Sequence, residues 1–164
     1  MKNKVNKDRL FLYHMYSRKD VHDVFSPLSP FWPYVGKWGI NGVVRIEKEK
    51  DNFVFFVRIG SGSKYSAGQS ISKDGVLKWF APMSQTRGSP LIQILKNHRS
   101  ERNNIYLLAK FGNDGKYVYL GTLEYKSLSP DQVRPLEFEW KLVSWPPPES
   151  IKNLYALQGR EQHS

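Results

Sequence analysis

The sequence contains no cysteine, and it has no apolar run close to the roughly 18 residues that a membrane-spanning helix needs. Without cysteine, disulfides, zinc–thiolate sites and thiol nucleophiles are excluded. The basic residues 1–9 lead into no apolar core of a signal peptide. We therefore expect a soluble, cytoplasmic protein without membrane contact, made of a basic disordered arm over residues 1–9 and a single domain over residues 10–160.

Motifs for catalysis and metal binding are also scarce. The four histidines have no paired spacing, which predicts no metal site, and no Walker loop, GxGxxG turn or Ser–His–Asp signature is present, so we expect no cofactor. One enzyme alternative stays open. The sequence contains the PD…ExK pattern, with Pro130-Asp131 followed by Glu139-Trp140-Lys141. In nucleases with this pattern, two acids hold Mg²⁺ and a lysine assists the attacking water. Otherwise we predict a protein that is not an enzyme.

Positive charge is abundant and unevenly distributed. The net charge is +10, and residues 53–110 alone carry nine lysines and arginines against two acids. A concentrated basic region is typical of a protein that binds a polyanion, usually nucleic acid. The alternatives are a solvated surface or a protein-interaction module whose basic face is incidental.

Three strand-like runs close together predict a β-meander. Asn113-Asp114-Gly115 separates the first two runs and suits a tight hairpin, because glycine tolerates a positive φ. In the third run apolar residues alternate with charged ones, so one face of the strand is buried and the other is exposed to solvent. The runs cover residues 104–111, 116–125 and 135–144.

The remaining elements are shorter. Ser17 and Asp20 form a capping box that predicts a helix over residues 18–25. Further helices are predicted over residues 90–97 and 149–157, a hairpin over 43–47 and 53–59, and a strand over 76–80. About six strands without a β-α-β rhythm predict an α+β fold, with a curled, mainly antiparallel sheet or half-open β-barrel and flanking helices.

Several segments of the sequence resemble an uncharacterised bacterial domain family, which is found beside helicase-like, phospholipase-D-like and HNH nuclease modules of restriction and defence proteins. They are YSRKDVHDVFSP (16–27), GKWGINGVVRI (36–46), FVFFVRIG (53–60), DGVLKW (74–79), NNIYLLAK (103–110), YVYLGTLEY (117–125) and RPLEFEWKLVSWPPP (134–148). In that family a Gln/Ser-rich run follows the tryptophan directly, whereas here residues 80–83 intervene before Ser84-Gln85.

The resemblance implies a specificity or targeting domain that binds DNA for a nuclease or helicase module in the same chain or system. By analogy, a half-open barrel with flanking helices is also the architecture of domains that flip a modified base into an aromatic pocket. Such a reader needs cations for the phosphates, aromatic rings to stack a base, and amides or hydroxyls for its edge. Residues of these types give the predicted DNA site: Trp38, Arg58, Lys64, Tyr65, Trp79, Ser84, Gln85, Arg87, His98, Arg99 and Arg102.

Overall fold

The computed structural model describes residues 9–46, 51–60, 69–112, 116–130 and 134–152. The helices are α1 (Arg18–Phe25), α2 (Gly36–Ile40) and α3 (Pro90–Lys96), and residues 149–152 are also helical. The strands are β1 (Met15–Tyr16), β2 (Val43–Ile46), β3 (Asn52–Ile59), β4 (Ser70–Ile71), β5 (Val76–Phe80), β6 (Ile105–Phe111), β7 (Tyr117–Leu128) and β8 (Glu137–Leu142). Within these described stretches, no helix has the length and apolar character required to cross a membrane.

The strands form one curled sheet in the order β2-β3-β6-β7-β8-β5-β4, with β1 paired separately to β7. Every pair is antiparallel except β3 with β6. Gln69, just before β4, connects this edge of the sheet to the end of β3 through hydrogen bonds. Its carbonyl accepts from the Gly60 amide at 3.2 Å, and its side chain donates to the Arg58 carbonyl at 3.3 Å. The predicted α+β fold with a curled, half-open sheet is confirmed.

Aromatic side chains fill the inside of the curl. Phe55 stacks on Trp79 with ring centroids 4.4 Å apart, and Phe138 stacks on Trp140 at 5.4 Å. The apolar stripe of α3 closes the same core through Ile92 and Leu95. Because aromatic rings bury large areas, this cluster is the main apolar contribution to the stability of the fold.

A second core lies on the outer face of β2, β3, β6 and β7, where α1 and α2 pack. The capping box of α1 is confirmed, with Ser17 accepting from the Asp20 amide. Within α1, the buried His22 side chain bonds Asp23 at 2.8 Å and Ser29 at 3.1 Å. The bond to Ser29 attaches the loop over residues 26–35 to the helix that precedes it.

The predicted meander is confirmed as β6, β7 and β8, and residues 76–80 form β5 as expected. The short helix α2 lies in a stretch for which no helix was predicted. The described part of the chain forms eight strands where about six were expected, because the two-residue strands β1 and β4 were not predicted. The hairpin turn over residues 113–115, the arm over residues 1–8 and the last helix beyond residue 152 lie outside the described residues.

We predict that Gly75→Ala destabilises the protein by about 2 kcal/mol or more. Gly75 has a φ of 79°, and a Cβ there would lie 2.7 Å from the Trp145 ring. Gly88→Ala is the matched control, because a Cβ at Gly88 would have nothing within 4 Å of it and the φ there is not in the left-handed region. Urea unfolding of both variants measures the difference. Equal midpoints for the two variants would show that the Gly75–Trp145 contact is unimportant.

Candidate nucleic-acid interface

A cleft opens between the turn that joins α2 to β2 and the loop that follows β5, with a volume of about 610 Å³. We call it the Asn41 cleft. Its lining residues are Ile40, Asn41, Gly42, Val43, Arg45, Phe53, Pro82, Gln85 and Leu91. A volume of this order is in the range of pockets that hold small organic ligands.

The floor of the Asn41 cleft is apolar and its rim is polar. Phe53 is fully buried beneath it, and Val43 and Leu91 pack against the main core. Asn41 and Gln85 contribute side-chain amides, which can each donate and accept a hydrogen bond. Arg45 brings a guanidinium that pairs with Asp51. Flat apolar surface edged by amides suits an aromatic heterocycle that carries hydrogen-bonding groups on its edge.

Arg18 fixes the turn that bears Asn41. Its guanidinium donates to the carbonyls of Trp38 at 3.1 Å, Ile40 at 3.3 Å and Asn41 at 2.9 Å. The carbonyls at the end of a helix have no partner within it, so a cation that binds them also stabilises the end of α2. The same guanidinium lies 4.2 Å above the Phe56 ring. A side chain from α1 therefore holds one wall of the cleft in place.

The opposite wall is the loop over residues 81–89, which is built from two turns. The Gln85 amide donates to the Pro82 carbonyl at 3.0 Å, and the Ser89 amide donates to the Thr86 carbonyl at 3.0 Å. Gln93 of α3 donates to the Arg87 carbonyl at 2.7 Å. These bonds hold Gln85 over the cleft.

Of the predicted site residues in this loop, Gln85 lines the Asn41 cleft, whereas Ser84 and Arg87 do not. Ser84 is exposed beside Gln85. The Arg87 guanidinium donates to the Ser129 carbonyl, so it also ties the loop to the end of β7.

The two predicted tryptophans belong to the core instead of to an open aromatic wall. Trp79 is 3% exposed inside the curled sheet, and Trp38 is 6% exposed under α1. The helix α2 turns Trp38 inward, where it packs beside His22 and Phe25. Neither ring can stack on a base without the core opening, so both predictions are corrected on the ground of burial.

His98 is likewise structural. Its side chain is buried, Nδ1 bonds the Asn103 carbonyl at 3.1 Å, and Nε2 accepts from the Tyr125 amide at 2.9 Å. Since an amide N–H can only donate, Nε2 carries no proton in this arrangement. Burial lowers the pKa of His98, which favours the same neutral form. The residue connects the basic turn after α3 to β7, and both of its ring nitrogens take part in these bonds.

Arg99 and Arg102 are exposed on that turn, and they line a separate cleft of about 310 Å³ together with Glu124. Arg99 approaches Glu124 at 3.9 Å. The Phe53 amide donates to the Asn104 carbonyl at 2.9 Å, which joins the end of this turn to the floor of the Asn41 cleft. Both arginines are exposed on the turn before β6, where they suit phosphate contacts.

Arg58 is half-buried on β3 and pairs in register with Lys110 of β6. Residues paired across two strands point to the same face of a sheet, so these two cations are neighbours. Their face is the one covered by α1 and α2, because Val54 and Phe56 belong to that core. Lys64 and Tyr65 lie outside the described residues.

No sequence pattern indicated Ile40, Asn41 or Arg45 as site residues. The available signal was the glycine-punctuated stretch over residues 29–42, which runs from a loop into a short helix. Within that stretch, the residues that line the Asn41 cleft are Ile40, the last residue of α2, and Asn41 and Gly42, which follow it.

The nuclease alternative gains little from the structure. Glu139 accepts hydrogen bonds from Lys126 at 3.3 Å and Ser127 at 3.2 Å, which is an ordinary cross-strand arrangement. Asp131 lies outside the described residues. In the described ranges, no three residues of the types His, Asp or Glu are grouped so that they could hold a metal ion.

Comparison of sequences finds no match with any protein-family model. No curated protein matches either.

Comparison of structures finds several similar folds. A structure of Arabidopsis thaliana SUVH6 in complex with SAM has a TM-score of 0.52 and 12% identity, and covers 88% of this chain but 27% of that one. The SUVH5 SRA domain in complex with hemimethylated CG DNA has a TM-score of 0.51 and 12% identity, and covers 84% of this chain and 92% of the domain. The DNA recognition domain of the cytosine modification-dependent restriction endonuclease LpnPI has a TM-score of 0.48 and 8% identity, with coverages of 84% and 74%. The chain thus shares the fold of the SUVH5 SRA domain.

We predict that the stability of the protein depends on pH through His98. The folded chain binds fewer protons than the unfolded chain between the lowered pKa of His98 and its ordinary value of 6.5. Stability should therefore be fully present above about pH 7 and decline as the pH falls through that window. Urea unfolding between pH 5 and 8 measures this dependence.

His98→Phe provides the comparison, because phenylalanine fills the site but cannot titrate. We expect the wild type to exceed this variant by about 1–3 kcal/mol at pH 8, because the Tyr125 amide loses its acceptor. The difference should shrink toward pH 5. A difference that stays constant over the whole range contradicts the assigned protonation.

Proposed function

We propose that this chain is a DNA-binding specificity domain that takes a modified base, flipped out of the duplex, into the Asn41 cleft. The observation that carries the proposal is the cleft itself, with its apolar floor and its two side-chain amides. The fold supports it, because the SUVH5 SRA domain of similar fold is bound to hemimethylated CG DNA in its crystal structure.

The chemistry of the cleft supports a base as its ligand. A side-chain amide can pair with a base edge through one donor and one acceptor, and Asn41 and Gln85 offer two such groups. Val43, Pro82 and Leu91 supply apolar contacts for a methyl or similar substituent. Extruding a base costs a few kcal/mol, so a ligand in this cleft needs several such contacts to repay that cost.

The positive charge supports a duplex around that base. Residues 53–110 carry nine of the cations and only two acids, and Arg99 and Arg102 of this region are exposed on the turn before β6. Phosphate contacts of this kind position a protein on DNA, while contacts to the base edge give specificity. Arg45 at the cleft rim can exchange its Asp51 partner for a phosphate.

In this proposal the domain delivers a nuclease or helicase module, in the same chain or in a separate subunit, to modified DNA in the cytoplasm. The support is the sequence resemblance to domains of restriction and defence proteins. In this proposal Tyr65 is the predicted aromatic residue that stacks on the base, because Trp38 and Trp79 are buried.

The protein-interaction alternative has one observation in its favour. Leu28, Trp32 and Val35 are exposed on the loop over residues 26–35 and line a cleft of about 480 Å³. Apolar groups exposed together commonly mark contacts with another protein or module. A chain with this function alone would bind no DNA at low salt.

We predict salt-sensitive binding to short duplexes, with tighter binding when the duplex contains 5-methylcytosine or 5-hydroxymethylcytosine. Replacing both Asn41 and Gln85 by alanine should remove about 1–3 kcal/mol of discrimination between modified and unmodified DNA. Nonspecific binding should persist, because the phosphate contacts remain. Fluorescence anisotropy with labelled duplexes at several salt concentrations measures both quantities.

Met83→Ala is the matched control, since Met83 is exposed in the same loop as Gln85 but does not line the cleft. It should keep the discrimination of the wild type. Absence of binding at low salt, or equal affinity of the wild type for modified and unmodified duplexes, would refute the proposal.

A further inference from the structure

A second cleft adjoins the Asn41 cleft across Ile40, which lines both. We call it the Tyr34 cleft, and its volume is about 410 Å³. Ile40 is 58% exposed and forms the ridge between the two. A ligand chain that occupies the Asn41 cleft and continues over this ridge enters the Tyr34 cleft next.

The Tyr34 cleft combines cations with aromatic rings. Its lining includes Arg18, Lys19 and Lys110, and it includes no aspartate or glutamate. Lys110 lies 4.9 Å above the Tyr117 ring, and Arg58 is its neighbour across the β3–β6 pair. Lys19 is paired with Asp23 at 2.8 Å, so Lys110 contributes more to the positive charge of the cleft than Lys19 does.

Tyr34 is the unusual residue of this cleft. Its side chain is 82% exposed, and its backbone has a φ of 65°, which is rare for a bulky residue. Glycine would hold this turn with less strain, and strained positions are concentrated at functional sites. An exposed ring kept on a strained backbone beside cations suits a ligand that is both aromatic and anionic.

We propose that the Tyr34 cleft binds a nucleotide of the DNA strand next to the flipped base. The Tyr34 ring stacks on its base, and Lys110 contacts its phosphate. Base–aromatic stacking and phosphate contact together are the means by which proteins hold unpaired nucleotides. This inference rests on the proposed function and extends it, because it makes the two clefts one continuous binding track.

Four variants test the role of the Tyr34 ring by anisotropy with a modified duplex. Tyr34→Ala should weaken binding about 5- to 100-fold, the range expected for the loss of one stacked base. Tyr34→Phe keeps the ring and should bind like the wild type. Tyr34→Gly removes the ring and relaxes the backbone, so it should weaken binding as Tyr34→Ala does without lowering the unfolding midpoint. Trp32→Ala, the matched control, changes an exposed ring of the same loop that lines a different cleft, and should leave affinity unchanged.

The salt dependence tests the phosphate contact. Lys110→Ala should reduce the slope of log affinity against log salt by about 1 relative to the wild type. Lys141→Ala, on the exposed side of β8 and in neither cleft, should leave the slope unchanged.

The outcomes separate this inference from the proposed function. If wild type binds no DNA, the proposed function fails and this inference with it. If the Asn41 and Gln85 substitutions abolish discrimination while Tyr34→Gly binds like the wild type, only the second cleft is refuted. It is also refuted if Trp32→Ala weakens binding as much as Tyr34→Ala. Binding of free deoxyadenosine monophosphate that requires Tyr34, alongside DNA affinity that does not, would likewise overturn it.

Discussion

The aromatic cluster inside the curled sheet determines where this protein can bind a ligand. Phe55, Trp79, Phe138 and Trp140 occupy the space that the curl encloses, so the sheet is a packed core and not a pocket. The mouth of the curl, where β2, the loop after β5 and the start of α3 meet, is open to a ligand. The Asn41 cleft lies there, and the buried Phe53 links its floor directly to the core. Because Phe53 belongs to this packed core, the floor of the Asn41 cleft is held as firmly as the core itself.

The walls of the cleft are held by bonds that come from outside it. Arg18 of α1 binds three carbonyls at the end of α2, and Gln93 of α3 binds the loop that carries Gln85. A site whose groups are fixed before the ligand arrives loses less conformational entropy on binding. Helices on both faces of the sheet, α1 on the outer face and α3 over the inner core, therefore hold the walls of the cleft in place.

Much of the fold follows from local patterns, and most of the site does not. The capping box of α1, the alternation in β8 and the strand β5 each appear in a few consecutive residues, and each prediction is confirmed. The parallel pairing of β3 with β6 joins residues about fifty positions apart, which no local pattern specifies. The helix α2 has five residues and no side-chain cap, so its sequence is typical of a loop. Because the segment is helical instead, the Trp38 side chain is buried and not exposed to a ligand. The basic middle third of the chain predicted Gln85, Arg99 and Arg102 as site residues, whereas tertiary structure alone brings Asn41 and Arg45 beside Gln85.

The central claim is that a base leaves the duplex and enters the Asn41 cleft. The most direct test is the fluorescence of 2-aminopurine placed opposite the modified base, because this probe brightens when its partner is removed from the stack. Binding of the wild type should raise the emission, and the Asn41→Ala, Gln85→Ala double variant should bind at low salt with a much smaller rise. Emission that stays constant while the wild type binds would contradict the account.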